Sequence, residues 1–424
     1  MLAPFSRRAI VFAPGTPQNA SARLAIFCKV KSMDTAAPPP RLARLLGFLN
    51  QDPQNLMLLR DAADEAIKDS KWQQARNLIN RALEIAPQDA SSRYRMAVVL
   101  SQQGEALSAL TFTQGLIDEG ELNEVVRYQH ARALVLAGRH VEAEPLLDGL
   151  QAHATHLPEF DYFHIRALHA VGKLDEAIAK ARAMEGDPIA QGMLSLLYID
   201  ADRLDEGQAL AQQILARDPH NVDALLAAGT GLLAMEKSDA ALPAFNEVVR
   251  QHPDSGRAWM GIGLARLSAG DLDGAREALT RTVALLPSHL GSWNALAWVQ
   301  LIQRDHAGAS QTLDTALNIN RNFGETHGTI AVLKAARQEW AEAEHHAEVA
   351  VRLQPESFAG RFAQTLVLEH RGRPEQAALL LENMMRNHSA PAGGNLIDLV
   401  RRYAARGVPG KPGADIKASG QRQS

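Results

Sequence analysis

The sequence predicts an all-α fold, an open stack of tandem helix pairs, and three observations carry that expectation. Ala75, Ala109, Ala143 and Ala177, then after one irregular step Ala241, Ala275, Ala309, Ala343 and Ala377, stand 34 residues apart within each run. A fixed period of that length is one supersecondary unit copied many times. Pro53, Pro87, Pro219, Pro253, Pro287 and Pro355 share one register, with Glu121 and Arg321 at the equivalent places. Proline cannot continue a helix, so each of these closes one unit and opens the next. The composition, 46% hydrophobic but only 5% aromatic, is dominated by Ala and Leu and favours helix over strand. A unit this small cannot bury its apolar face alone, so function is expected on a long surface rather than in a catalytic pocket.

Taken in order, residues 1–36 read as a disordered or non-native extension. The apolar run at 6–13 is cut short by Pro14, Gly15 and Pro17, too soon for an export signal. Met33 is a candidate true start; the alternative is an ordinary disordered extension. Residues 37–55 carry an amphipathic stretch at 41–50 and are expected to form an N-terminal capping helix. Ten units then begin at Leu56, Ala90, Glu124, Pro158, Pro188, Val222, Gly256, Leu290, Gly324 and Phe358, four in residues 56–187 and six in 188–391. Gly104, Gly138, Gly172, Gly270 and Gly372 fall at the turn inside a unit, where a helix end in the left-handed region favours glycine. Ala63, Ala97, Ala131, Gly229, Gly263, Ala297 and Ala331 recur twelve residues before the period alanines, so the two helices of a unit can approach closely at both sites. Leu396, Ile397, Leu399, Val400 and Tyr403, at helical spacing, make 392–406 an expected C-terminal capping helix with one wet face, and the Gly and Pro residues of 407–424 mark a disordered tail.

Trp259, Ile262, Gly263, Gly270, Ala275 and Pro287 in a single unit resemble the tetratricopeptide repeat pattern of an aromatic residue, a small residue, a Gly turn, an alanine and a closing proline. The resemblance recurs in register over about four fifths of the chain. It implies a right-handed α-solenoid whose first helices line a concave groove, in a family of binding modules rather than enzymes.

The unit at 158–187 is four residues short, with the loss after Met184, which removes about one helical turn. His164 stands there where a leucine is expected, Ile165 where a small residue is, and Gly207 replaces the next period alanine. Two readings are open: a tolerated packing defect, or a bend that separates two binding segments.

Projected onto the family architecture, the first helices before this point direct Tyr94, Tyr128 and Tyr162 toward the groove, 34 residues apart, with Arg132 and Arg166 beside them. Arg60, Asp64, Arg95 and His169 extend this polar strip. Tyrosine offers an apolar face with a hydrogen-bonding tip and arginine can grip a carboxylate with two parallel bonds, which together suit an extended anionic peptide. The alternative is that the tyrosines pack between helices and the arginines pair with carboxylates of the chain. Beyond the short unit the corresponding places hold Leu196, Leu226, Met260, Leu264, Trp298, Leu301 and Phe362. That apolar strip is expected to receive an apolar partner helix, to take a neighbouring copy in self-association, or to be closed within the groove.

No catalytic constellation, metal site or cofactor motif emerges. Cys28 is the single cysteine, and Glu342 with His345, at a three-residue spacing suggestive of a ligand pair, is read as ordinary surface polarity rather than a metal site. A net charge of -4 gives no general basis for holding nucleic acid, and no stretch approaches the roughly 18 apolar residues needed to span a bilayer. A cytoplasmic protein of a high-GC bacterium is expected from the cysteine usage and the Ala, Arg and Gln content. The leading functional expectation is a non-enzymatic scaffold or adaptor holding a peptide or helix of a partner protein. A chaperone or assembly factor shielding apolar client surfaces, and a targeting or regulatory subunit of a separate enzyme, are the alternatives.

Overall fold

A computed structural model describes residues 40–387. The expected extension at 1–36, the terminal helix at 392–406 and the tail at 407–424 lie outside the described residues. Among the described residues there is no strand. Helix α1 (Arg41–Gln51) precedes the pairs α2 (Leu56–Lys68) and α3 (Trp72–Ile85), α4 (Ala90–Gln102) and α5 (Ala106–Asp118), α6 (Glu124–Leu136) and α7 (His140–Asp148), α8 (Phe160–Ala170) and α9 (Leu174–Ala183), and α10 (Pro188–Asp200) and α11 (Leu204–Leu215). Five further pairs follow: α12 (Val222–Ala234) and α13 (Ser238–Gln251), α14 (Gly256–Ala269) and α15 (Leu272–Leu285), α16 (Leu290–Ile302) and α17 (His306–Ile319), α18 (Gly324–Ala336) and α19 (Trp340–Leu353), and α20 (Phe358–His370) and α21 (Pro374–Asn387). The fold is an α-solenoid of tandem helix-turn-helix units. Its described residues divide into two compact units, one of residues 40–228 with 247–257, the other of 229–246 with 258–387.

Local chemistry starts and stops these helices. Asn55, Asp89, Asn123 and Asp187 cap first helices, each accepting a backbone N–H at 2.8–3.1 Å. At the other end, the turn inside all ten pairs holds one residue in the left-handed region. Glycine does so at 104, 138, 172, 270 and 372, whereas Ser70, Asp202, Glu236, Arg304 and Gln338 adopt the same conformation with φ of 56–64°. The residue after it donates back across the helix end, as Lys71 N–H does to the Ala66 carbonyl at 2.8 Å and Glu105 N–H to Leu100 at 2.9 Å. Those bonds satisfy carbonyls that the helix terminus leaves open, which is why the conformation persists even without glycine.

In the first unit, Ala75, Ala109, Ala143 and Ala177 are fully buried, and around them pack Leu59, Leu78, Ile79, Leu134 and Leu147, at 0–3% exposure. Each such leucine contributes about 1.5–3 kcal/mol of transfer free energy. The period alanine is small because the neighbouring helix passes over it. The irregular region differs in part from the sequence expectation. Helix α9 has ten residues where α3 has fourteen, and ends at Ala183. A second disturbance upstream was not legible: α7 spans only nine residues with Pro145 inside it, and a 3-10 turn, Gln151–His156, replaces its continuation. Glu159 then takes a left-handed φ of 61°, so the first helix of this pair begins at Phe160 rather than Pro158. Proline at 145 removes a helix hydrogen bond and crowds the preceding turn, which accounts for the early end. Beside the shortened α9, Tyr198 accepts a hydrogen bond from Arg182 Nε at 2.7 Å, and the Arg203 guanidinium lies 4.4 Å from its ring centroid.

In the second unit, glycine permits the closest approaches. A Cβ on Gly261 would stand 2.4 Å from the Phe245 ring, and one on Gly328 would stand 2.2 Å from the backbone nitrogen of Gly360, so α18 and α20 touch backbone to backbone. Ala275, Ala309, Ala343 and Ala377 are again buried, at 0–1% exposure.

Candidate functional site

The polar strip lies on the first helices of the first unit, and most of its side chains are engaged within the chain. Arg60 on α2 donates through Nε to Asp89 at 3.0 Å and makes a second bond to the other carboxylate oxygen. Asp64 accepts two bonds of 2.7 Å from Arg95, a bidentate pair between α2 and α4. Arg132 on α6 sits 3.3 Å from Glu159 and 5.1 Å from the centroid of the Phe163 ring. Arg166 on α8 faces Asp223 at 3.6 Å. His169 bonds to Asp200 at 2.7 Å, and Asp200 also takes both nitrogens of Arg257 at 2.8 and 2.6 Å. Burial opposes ionisation of Asp200, but Arg257 and His169 outweigh it and hold the carboxyl down at about 2.

The three tyrosines share a place in the repeat but not an environment. Tyr128 is 4% exposed and donates to the Pro158 carbonyl, and burial pushes its hydroxyl far up. Tyr162 donates to Asp187 at 2.6 Å. Tyr94 is half-buried, and its hydroxyl has no partner among the described residues. Burial raises its pKa, against the pull of Arg132 and Arg95 nearby. Of the three tyrosines, Tyr94 is thus the one whose hydroxyl is uncommitted, and the charges of Arg132 and Arg95 act on it.

The predicted apolar strip is closed. Leu196, Leu226, Met260, Leu264, Trp298, Leu301 and Phe362 are between 0% and 7% exposed. Trp298 packs against Phe362, with ring centroids 6.0 Å apart. These side chains therefore serve packing in this structure and present no open patch. Their partners lie in other repeats, and a single repeat does not reveal how near those come.

Sequence reasoning missed the carboxylates that engage the strip: Asp89, Glu159 and Asp223 on its arginines, Asp187 on Tyr162, and Asp200 on His169 together with Arg257. Asp89 and Asp187 cap α4 and α10 and at the same time grip a side chain of the preceding repeat. Among the described residues no group of three His, Cys, Asp or Glu side chains is placed to hold a metal ion. Glu342 instead pairs with Lys334, and His346 lies 3.0 Å from His327, nitrogen to nitrogen. No helix among the described residues is long and apolar enough to cross a membrane.

No curated protein matches this chain in sequence. The crystal structure of the APC/C hetero-tetramer Cut9-Hcn1 contains a chain similar to it at 15% identity and a TM-score of 0.41, covering 84% of this chain and 81% of that one. The family profile described as tetratricopeptide repeat matches residues 226–289 and 263–324. Over residues 226–324 the chain is thus similar to the tetratricopeptide repeat family.

Proposed function

We propose that this repeat protein is a non-enzymatic scaffold or adaptor that holds an extended segment or helix of a partner protein against the first helices of its N-terminal repeats. The observation that carries the reading is Tyr94: half-buried, without an internal partner, and acted on by Arg95 and Arg132. A carbonyl or carboxylate oxygen of the partner meets there a hydroxyl donor in a positive local field. The ring face beneath supplies apolar contact. Arg60, Asp64, Arg95 and Tyr162 hold adjacent repeats in register beside it and act as positioning groups. A repeat region without cysteine suits a reducing, cytoplasmic setting.

A photo-reactive phenylalanine analogue at position 94 tests this. It should form adducts with a defined partner peptide, while the same group at Leu107, 70% exposed on α5, should not. Tyr94→Phe removes one hydrogen bond in a charged setting, about 1.5–3 kcal/mol, and should weaken that partner by roughly ten- to a hundredfold with the helical content unchanged. Equal adduct yields at 94 and 107, or unchanged affinity of Tyr94→Phe, would refute the site. Tyr128 is the wrong position for such a test, because its buried ring supports the fold.

A further inference from the structure

Ion pairs between first helices and the following repeat span 27–31 residues, as in Arg60–Asp89, Asp64–Arg95 and Arg132–Glu159. Two pairs break that rule: Arg166–Asp223 and Asp200–Arg257 both span 57 residues and skip a repeat. Asp223 and Arg257 are the second residues of α12 and α14, and they reach back to α8 and α10 with the charges reversed between the two pairs. The shortened α9 lies between α8 and α12, the anchor points of the outer pair, and directly precedes α10, which carries Asp200 of the inner pair. The inner pair is deeply buried, with side-chain exposures of 4% for Arg257 and 7% for Asp200. The outer pair is looser, at 3.6 Å and about one fifth exposed.

The same neighbourhood holds polar groups left unmet. Both ring nitrogens of His140, Arg132 Nε and His164 Nε2 are buried without a hydrogen-bond partner. Burial, with Arg166 and His169 nearby, holds His140 down at about 4, so it stays neutral. These groups lie on α6, α7 and α8, next to the helices that the two ion pairs join.

We propose that the Asp200–Arg257 pair, assisted by His169 and by Arg166–Asp223, is a latch across alternate repeats. Latched, it keeps Leu196 and Leu226 covered; released, it uncovers them beside the polar strip and regulates what that strip can receive. The proposal rests on the reading of this first-helix face as the binding surface. A conventional repeat contact would instead join neighbours, as the shorter-range pairs do.

Cys28 is the single cysteine, so Cys28→Ser with Leu226→Cys leaves one thiol as a reporter, at a position 5% exposed in the native chain. Its rate of reaction with a maleimide, measured without any partner, reads the opening. Asp200→Asn and Arg257→Gln should each speed labelling by about tenfold or more, the consequence of losing a charge-assisted bond. The milder Arg257→Lys, which keeps the charge but loses the bidentate fork, should fall between them and the parent, with helicity retained. Exchanging the charges, Asp200→Arg with Arg257→Asp, should restore slow labelling. Parent-like rates in Asp200→Asn and Arg257→Lys would overturn the latch. So would a general loss of helicity in Arg257→Lys, or an exchanged pair that labels as fast as the single variants. Because no partner enters this assay, its failure leaves the Tyr94 site standing, and a failed crosslink at Tyr94 leaves the latch standing.

Discussion

Glu325 should make the stability of the C-terminal repeats fall as pH rises. It lies on α18 at 2% exposure, and its carboxylate accepts the backbone N–H groups of Phe358 at 2.7 Å and Ala359 at 3.1 Å, at the start of α20. Burial drives its pKa upward, while those two amides and the Ser357 hydroxyl pull it back, and the balance stands at about 7 against an ordinary 4.5. No charged side chain is among the groups acting on it. A folded value above the unfolded one means that the stabilisation is complete below about pH 4.5 and is lost as pH climbs through about 7. At about 1.4 kcal/mol per tenfold, the full excursion amounts to roughly 3 kcal/mol, and most of it falls between about pH 5 and pH 8.5. Glu325→Gln carries one acceptor oxygen and one donor group, like the protonated acid, but never ionises. Urea denaturation followed by far-UV ellipticity should therefore find the variant within about 1 kcal/mol of the parent at pH 5 and about 2–3 kcal/mol more stable at pH 8.5. Comparing the two proteins at each pH cancels the other titrating groups. A difference that stays constant between the two pH values, or that shrinks on raising pH, would refute the reasoning.

Three further outcomes are expected. Gln338 is exposed and holds a left-handed φ of 64°, so Gln338→Gly should raise stability by about 1 kcal/mol in thermal melts; lowered stability would mean that the turn is not strained. Gly261→Ala places a methyl 2.4 Å from the Phe245 ring and should lower stability by about 1–3 kcal/mol, most visibly as faster hydrogen exchange in α13 and α14. Tyr198→Phe keeps the ring beneath Arg203 but loses the bond from Arg182, whose side chain is 50% exposed; the loss should stay near 0.5–1 kcal/mol by denaturant melts, and a much larger one would show that the short unit hangs on that bond.

The fold was legible to an unusual depth because its signals are local and repeat. Ala275 had to be small, Pro287 had to end a helix and Gly270 had to take a left-handed turn, and each statement concerns residues within one turn or one helix pair. Non-glycine turns were harder to see, since Arg304 and Gln338 carry no mark of the conformation they adopt. The disturbance at α7 was missed because Pro145 sits in an otherwise regular helix pattern, and only the 3-10 turn that follows reveals its effect. The site was legible in part. Tyr94, Tyr128 and Tyr162 were expected on one strip from their 34-residue spacing and the family resemblance, but the bonds of Tyr128 to Pro158 and of Tyr162 to Asp187 depend on where the next repeat begins.

The amino-acid sequence by itself determined the helical class, the length of the repeating unit, most of the places where helices start and stop, and the existence of a shortened pair. Those properties follow from capping, proline and glycine geometry and small-residue spacing, which act over a few residues along the chain. Tertiary structure alone decided that Arg257 meets Asp200 and that Asp223 meets Arg166, that Tyr94 keeps a free hydroxyl while Tyr128 does not, and that Leu226 and Trp298 are covered. These depend on the separation between repeats that are not consecutive, a distance accumulated from small rotations at every helix contact and therefore written in no single repeat.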